Sequence, residues 1–165
     1  MIATLIKKQE NTLEWREIII EYIYKSIKNP YQKQFKKNKP WNITIPILLD
    51  YPSLSLGHQL GLFLQENGLE IQPQLEDHDV FHVLTRSGLT VKNEIELQFY
   101  LLGNGKRSLF LFIVIATGLF FYPLSYKCFK EQYQKGKKAH TFYNLDFEKL
   151  LSIPLLQLQF TFNIN

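Results

Sequence analysis

Residues 78 to 82 read His-Asp-Val-Phe-His, and Glu94 follows after eleven more residues. On an α-helix, side chains four apart lie on one face, so His78 and His82 can offer their imidazoles to a single metal ion. Helix geometry turns Asp79 about 100° away from His78, so it reaches the same ion only from the side. Glu94 can close the site if the chain folds back between the two segments. Two neutral nitrogens and two carboxylates suit zinc first, or an iron-type centre, better than calcium. Cobalt and magnesium are further candidates. Such an ion can polarise a carboxylate or generate a hydroxide nucleophile. The histidine spacing alone is a weak motif, and each residue has a plainer reading. Asp79 can serve the helix N-terminal dipole, His82 can be a hydrogen-bonded core histidine, and Glu94 can be a solvated helix acid.

The elements that would position these residues read as helices. One starts near Glu76, with Glu76, Asp77 and Asp79 in its first turn, and ends before Gly88. Thr90 opens the next, which reaches about Leu102, where Gly103 and Gly105 break the pattern. A short loop at Gly88 would fold this helix back on its predecessor and bring Glu94 to the histidines. Upstream, a helix runs from about Leu54 to Asn67, with Ser53 placed to cap it and Gly68 placed to close it. A further helix spans Asn11 to Asn29, capped by Asn11 with Glu14 three residues on and Pro30 beyond its end.

Between residues 30 and 52 four prolines keep regular structure short. Ile43, Ile45 and Ile47 alternate like a strand that has no partner. Leu109 to Leu124 is the most apolar stretch, but its 16 residues fall short of the roughly 20 that span a bilayer. A buried central helix, or one half-sunk in a lipid interface, accounts for it better. Tyr126 to Lys138 continues it as a basic amphipathic helix after a kink at Pro123. Asp146 to Ser152 forms a last short helix before Pro154 and an apolar tail. With no hairpin signal anywhere, the fold class is all-α, a multi-helix bundle in one domain over residues 1–165.

Composition agrees. The chain is 45% hydrophobic, with 13 Phe and 9 Tyr, so it is not a disordered sequence. Its single cysteine, Cys128, allows neither a disulfide framework nor a cysteine zinc site. The net charge of +4 comes largely from two lysine runs, Lys33, Lys36, Lys37 and Lys39, then Lys127, Lys130, Lys135, Lys137 and Lys138. These read as solvated faces or as contacts to anionic lipid; neither lies in a nucleic-acid recognition module. The N-terminus has the pattern of neither a signal nor a transit peptide. The expected location is cytoplasmic and peripheral to the membrane.

The pattern His-Asp-x-x-His, eleven residues, then Glu resembles the signature of the coenzyme Q (ubiquinone) biosynthesis family of metal-binding, all-helical, membrane-associated proteins. The spacing His78-Asp79-Val80-Phe81-His82 to Glu94 matches without adjustment. His82-Val83-Leu84-Thr85 is similar to the family's His-Val-Leu-Thr. Leu56-Gly57 resembles its helix opening, and Asp146 to Leu151 followed by Pro154-Leu155 resembles its closing segment. The similarity covers roughly residues 50–156. There are departures. Leu75, Glu76 and Asp77 stand where arginines usually precede the His-Asp pair, Asn93 replaces a glycine before Glu94, and the tail holds Gln157 and Gln159 but no basic residue.

The resemblance implies a metal held by His78, Asp79, His82 and Glu94 at the mouth of an apolar tunnel that takes a polyprenyl tail. It implies a decarboxylase-hydroxylase activity on a polyprenylated hydroxybenzoate, and a role in organising other quinone-pathway enzymes. Separately from the resemblance, a homo-oligomer is one candidate assembly. Leu60, Phe63 and the Phe-rich 109–121 stretch are candidates for the tunnel wall. Two other functions fit the sequence: a non-catalytic prenyl-lipid carrier or scaffold, and a basic membrane-surface module without metal.

Overall fold

The computed structural model describes residues 40–164 together with Trp15, Ile18, Ile19 and Tyr22. The expected helix from Asn11 to Asn29 and the first lysine run fall for the most part outside the described residues. Trp15, Ile18, Ile19 and Tyr22 themselves are helical.

The second expected helix begins at Leu56 rather than Leu54. Backbone bonds explain the shift. Leu56 and Gly57 donate to Ile153 and Leu151, and Leu155 donates to Leu54, each at 2.8 Å. These bonds, with an isolated bridge between Ser55 and Pro154, hold Ser55 extended against the C-terminal segment. The cap therefore falls on Ser55, not Ser53, and its hydroxyl accepts from the His58 N–H at 3.3 Å. Before this helix, Ile45–Leu49 forms one short turn, α1, with Pro46 in its first turn. The strand-like isoleucines thus lie partly on a helix. The next element, α2, is Leu56–Glu66, and Gly68 closes it at φ +62° as expected. Leu56, Leu60 and Leu64 form its buried stripe.

The helix that carries the histidines, α3, spans Glu76–Thr85. Its acidic first turn matches the helix dipole, and Glu76 is buried, where its Oε1 accepts the Trp41 backbone N–H at 3.0 Å. Arg86 ends the helix in the left-handed conformation at φ +54°. Thr90 then caps α4, Val91–Asn104, accepting from the Asn93 N–H at 3.2 Å. The Ser108 hydroxyl caps α5, Leu109–Phe121. A turn of 3₁₀ helix at Pro123–Ser125 leads into α6, Tyr126–Lys138, and the chain bends by 107° at this break. Proline at the start of the turn provides no N–H for the preceding ladder, which fixes the kink.

α5 is not the buried central helix. It buries Leu111, Val114 and Gly118 and leaves Leu109, Phe112 and Phe120 exposed. No single helix among the described residues is long and apolar enough to cross a membrane, although the bent α5–α6 pair passes by length and composition together. After α6, the segment expected to be a last helix is a 3₁₀ turn, Phe147–Leu150. The apolar tail is itself helical, α7, Leu155–Thr161. Pro154 does not end structure there; it sits as the cap before α7, where its missing N–H costs nothing.

Two apolar clusters hold these helices. The larger joins Leu48, Leu60, Leu64, Phe81, Leu84, Leu101, Phe142 and Phe147 across α1 to α4 and the C-terminal turns. The smaller joins Ile95 and Phe99 of α4, Val114 of α5 and Phe129 of α6. Phe99 and Phe129 stack with centroids 4.9 Å apart. α4 and α6 approach so closely that a Cβ on Gly103 would collide with the Tyr133 carbonyl oxygen, and one on Gly136 with that of Tyr100. Glycine is required at both crossings. The architecture is all-α, with no strand among the described residues.

Candidate metal centre

α3 and α4 meet at three side chains. His82 Nε2 lies 3.2 Å from His78 Nε2 and 2.9 Å from Glu94 Oε1, and His78 Nε2 lies 3.3 Å from Glu94 Oε2. The histidines stand one turn apart on α3, and Glu94 reaches them from the first turn of α4. The loop at residues 86–90 reverses the chain between them, and glycine at position 88 leaves room for the Asn93 side chain, whose Oδ1 would lie 2.5 Å from an added Cβ. Asn93, which stands where the resembled family has glycine, is used locally: its Oδ1 accepts from the Thr90 hydroxyl at 2.7 Å. This leaves Glu94 directed to the histidines.

The separations suit an ion. A tetrahedral zinc site with ligand bonds near 2.0–2.1 Å has ligand-to-ligand edges of about 3.3 Å. His78, His82 and Glu94 each bring one ligand atom into such a group, and together they could hold a metal ion. His82 is almost fully buried at 1% exposure, whereas the His78 and Glu94 side chains are 25% and 24% exposed. Three protein ligands with one open side is the arrangement of a site that admits a further molecule.

A second contact fixes the His82 ring. Its Nδ1 lies 3.3 Å from the Ser87 carbonyl oxygen. A carbonyl only accepts, so Nδ1 carries a hydrogen and Nε2 of the neutral ring presents its lone pair to Glu94. Lone pairs facing one another at this distance need a proton or a cation between them. Phe63 of α2 stacks against the same ring, its plane tilted by 16°. Neither contact follows from the His-Asp-x-x-His spacing. The sequence named Phe63 only as a tunnel-wall candidate, and Ser87 acts through its backbone, which leaves no side-chain signal. Leu60, the other α2 candidate, is buried in the core.

Without an ion, the electrostatics resolve by protonation. Burial opposes charge on His82, but the hydrogen bond and charge of Glu94 outweigh it and raise the imidazole above its ordinary value. Burial also pushes the Glu94 carboxyl up, yet the charges and hydrogen bonds of His78 and His82 hold it well below the usual carboxylate range.

Asp79 is not brought into this group. It lines a narrow apolar cleft with Trp41, Ile43, Leu48 and Leu60, on the flank of α3. Its charge still helps to raise His82, as the smallest of four contributions in that direction beside the opposing effect of burial. The position one residue after His78 turns Asp79 off the shared face. The tail residue Gln159 has a distinct role. Its Oε1 accepts from Arg86 at 3.1 Å and its Nε2 donates to the Leu84 carbonyl at 2.8 Å, so α7 grips the end of the histidine-bearing helix.

No protein-family model matches the chain, and no curated protein matches it. Among solved structures, the fold is similar to that of a protein described as a "putative ubiquinone biosynthesis protein" from Nostoc punctiforme. The TM-score is 0.61 at 13% sequence identity, over 99% of this chain and 92% of that one.

Proposed function

We propose that this chain is a metal-dependent protein of ubiquinone biosynthesis that acts on the ring of a polyprenylated hydroxybenzoate. The observation that carries this reading is the convergence of His78, His82 and Glu94 on one point from two helices, at the spacing His-Asp-x-x-His-x11-Glu. The fold likeness to a protein bearing that pathway's name supports it.

His78, His82 and Glu94 would hold a divalent cation, with zinc the best match to two imidazoles and a carboxylate. When bound, it would supply a Lewis acid able to bind and orient a ring carboxylate, whose release as carbon dioxide leaves the electron pair of the broken carbon–carbon bond on the ring carbon for a solvent proton. The chain's own residues set the rest. Ser87 holds His82 in the tautomer that faces the site, and Phe63 closes the inner side of the ring against water. The partial exposure of His78 and Glu94 leaves the approach open to a ring carboxylate. The prenyl tail would run along apolar helix faces, and the exposed α5 residues Phe112 and Phe120 are suited to the surface of a membrane from which such a substrate comes.

The test is turnover. Zinc-loaded protein is incubated with a prenylated 4-hydroxybenzoate, and loss of the carboxylate is followed by mass spectrometry, with His78→Ala and Glu94→Ala alongside. Product that forms with the native chain and not with either variant supports the reading. Saturable binding of the prenylated acid with no product assigns a carrier or scaffold role instead.

A further inference from the structure

A second pocket lies behind the metal centre. At 100° per residue, Glu96 and Tyr100 sit about 200° and 240° round α4 from Glu94, so the helix separates the two sites. The pocket has a volume of about 200 Å³, and its walls include Arg86, Ser87, Glu96, Tyr100, Gln132 and Lys135. That volume is below the range of drug-sized pockets and suits a molecule of a few heavy atoms.

Three of its polar side chains, Tyr100, Gln132 and Lys135, have no hydrogen bond or ion pair among the described residues. Tyr100 is 5% exposed, its ring packs near Phe142, and its hydroxyl has no hydrogen bond among the described residues. Burial alone raises its pKa, to about 12, with no donor or charge acting on the oxygen. That oxygen is not sealed from solvent, so a water or a ligand in the pocket can bond it. The Lys135 ammonium and the Gln132 amide also make no hydrogen bond or ion pair among the described residues. Arg86 spends one N–H on Gln159 and retains others, and its backbone is pinned at positive φ. Glu96 is the acidic wall, with Lys92 3.7 Å away at its outer side.

We propose that this pocket binds a small oxyanion that also carries a hydroxyl, either a short hydroxycarboxylate or a phosphate. Arg86 and Lys135 match the anionic oxygens, and the Tyr100 hydroxyl and Gln132 amide donate to them. The ligand's own hydroxyl donates to Glu96, which would repel an anion without one. The site is separate from the three metal ligands, although Ser87 borders both.

Calorimetric titration of the metal-free full chain at low salt tests this, with D-glycerate and inorganic phosphate as separate probes. Tyr100→Phe and Lys135→Gln are the variants, since the first removes only an unpaired oxygen and the second changes an exposed helix residue. The expected result is saturable one-to-one binding of at least one probe, weakened about tenfold in each variant, with thermal midpoints held near that of the native chain. Binding of glycerate alone assigns a hydroxycarboxylate, and of phosphate alone a phosphate. No saturable binding of either probe, or unchanged affinity in both variants, overturns the proposal. Because the titration uses metal-free protein, its failure leaves the metal reading standing, and a protein that holds no metal leaves this site untouched.

Discussion

His82 Nε2 faces Glu94 Oε1 at 2.9 Å across the junction of two helices, while the opposite nitrogen of the same ring is tied to the Ser87 carbonyl. One imidazole thus has its hydrogen assigned on one side and its lone pair aimed at an acid on the other. With this polarity the two side chains can hold a proton or a cation between them.

Asp79 provides a contrast. It shares the motif but sits off the face used by His78 and His82. Asp79→Asn is expected to retain the full metal stoichiometry and to cost about 1 kcal/mol of stability or less, through the helix dipole. Elemental analysis and urea unfolding of the variant check both parts. Loss of metal with unchanged stability would make Asp79 a ligand.

The metal-free protein should show a two-sided dependence of stability on pH. Glu94 has a lowered pKa, so its contribution is present above the ordinary carboxylate value of 4.5 and is lost as pH falls through the depressed one. His82 has a raised pKa, so its contribution is complete below the ordinary 6.5 and is lost as pH rises through the raised value. Urea midpoints measured from pH 3 to 9 should therefore peak between about 4.5 and 6.5. In Glu94→Gln both limbs should flatten.

The α4–α6 crossing should tolerate no side chain. Gly103→Ala and Gly136→Ala each set a methyl against a backbone carbonyl of the facing helix, which cannot rotate away. Each is expected to cost on the order of 3 kcal/mol, by overpacking. Chemical unfolding of the two variants, beside a solvent-facing Gln134→Ala control on α6, measures it.

Helix positions near the site were legible because their punctuation is local. Thr90 and Gly68 act where their chemistry predicts, and the acidic first turn of α3 starts at Glu76. The errors have a common cause in long-range contacts. Ser53 lost the cap to Ser55 because residues near 153 draw the chain into an extended tie. The tail became α7 because its Leu158 packs into the main core and its Gln159 bonds to the end of α3. No property of the tail's own sequence announces those partners. At the site, helical periodicity placed His78 and His82 together and the Gly88 loop returned Glu94 to them. The Ser87 carbonyl and the Phe63 ring entered only with the fold.

The most direct measurement is zinc titration of the metal-free chain, read by calorimetry and confirmed by elemental analysis after dialysis. One equivalent should bind tightly, with the thermal midpoint raised as expected for a ligand that binds only the folded state. His82→Ala and Glu94→Ala should each lose that equivalent. A native chain that binds no stoichiometric zinc, iron, cobalt or magnesium, or that binds it equally well in both variants, would contradict the assignment of His78, His82 and Glu94 as a metal centre.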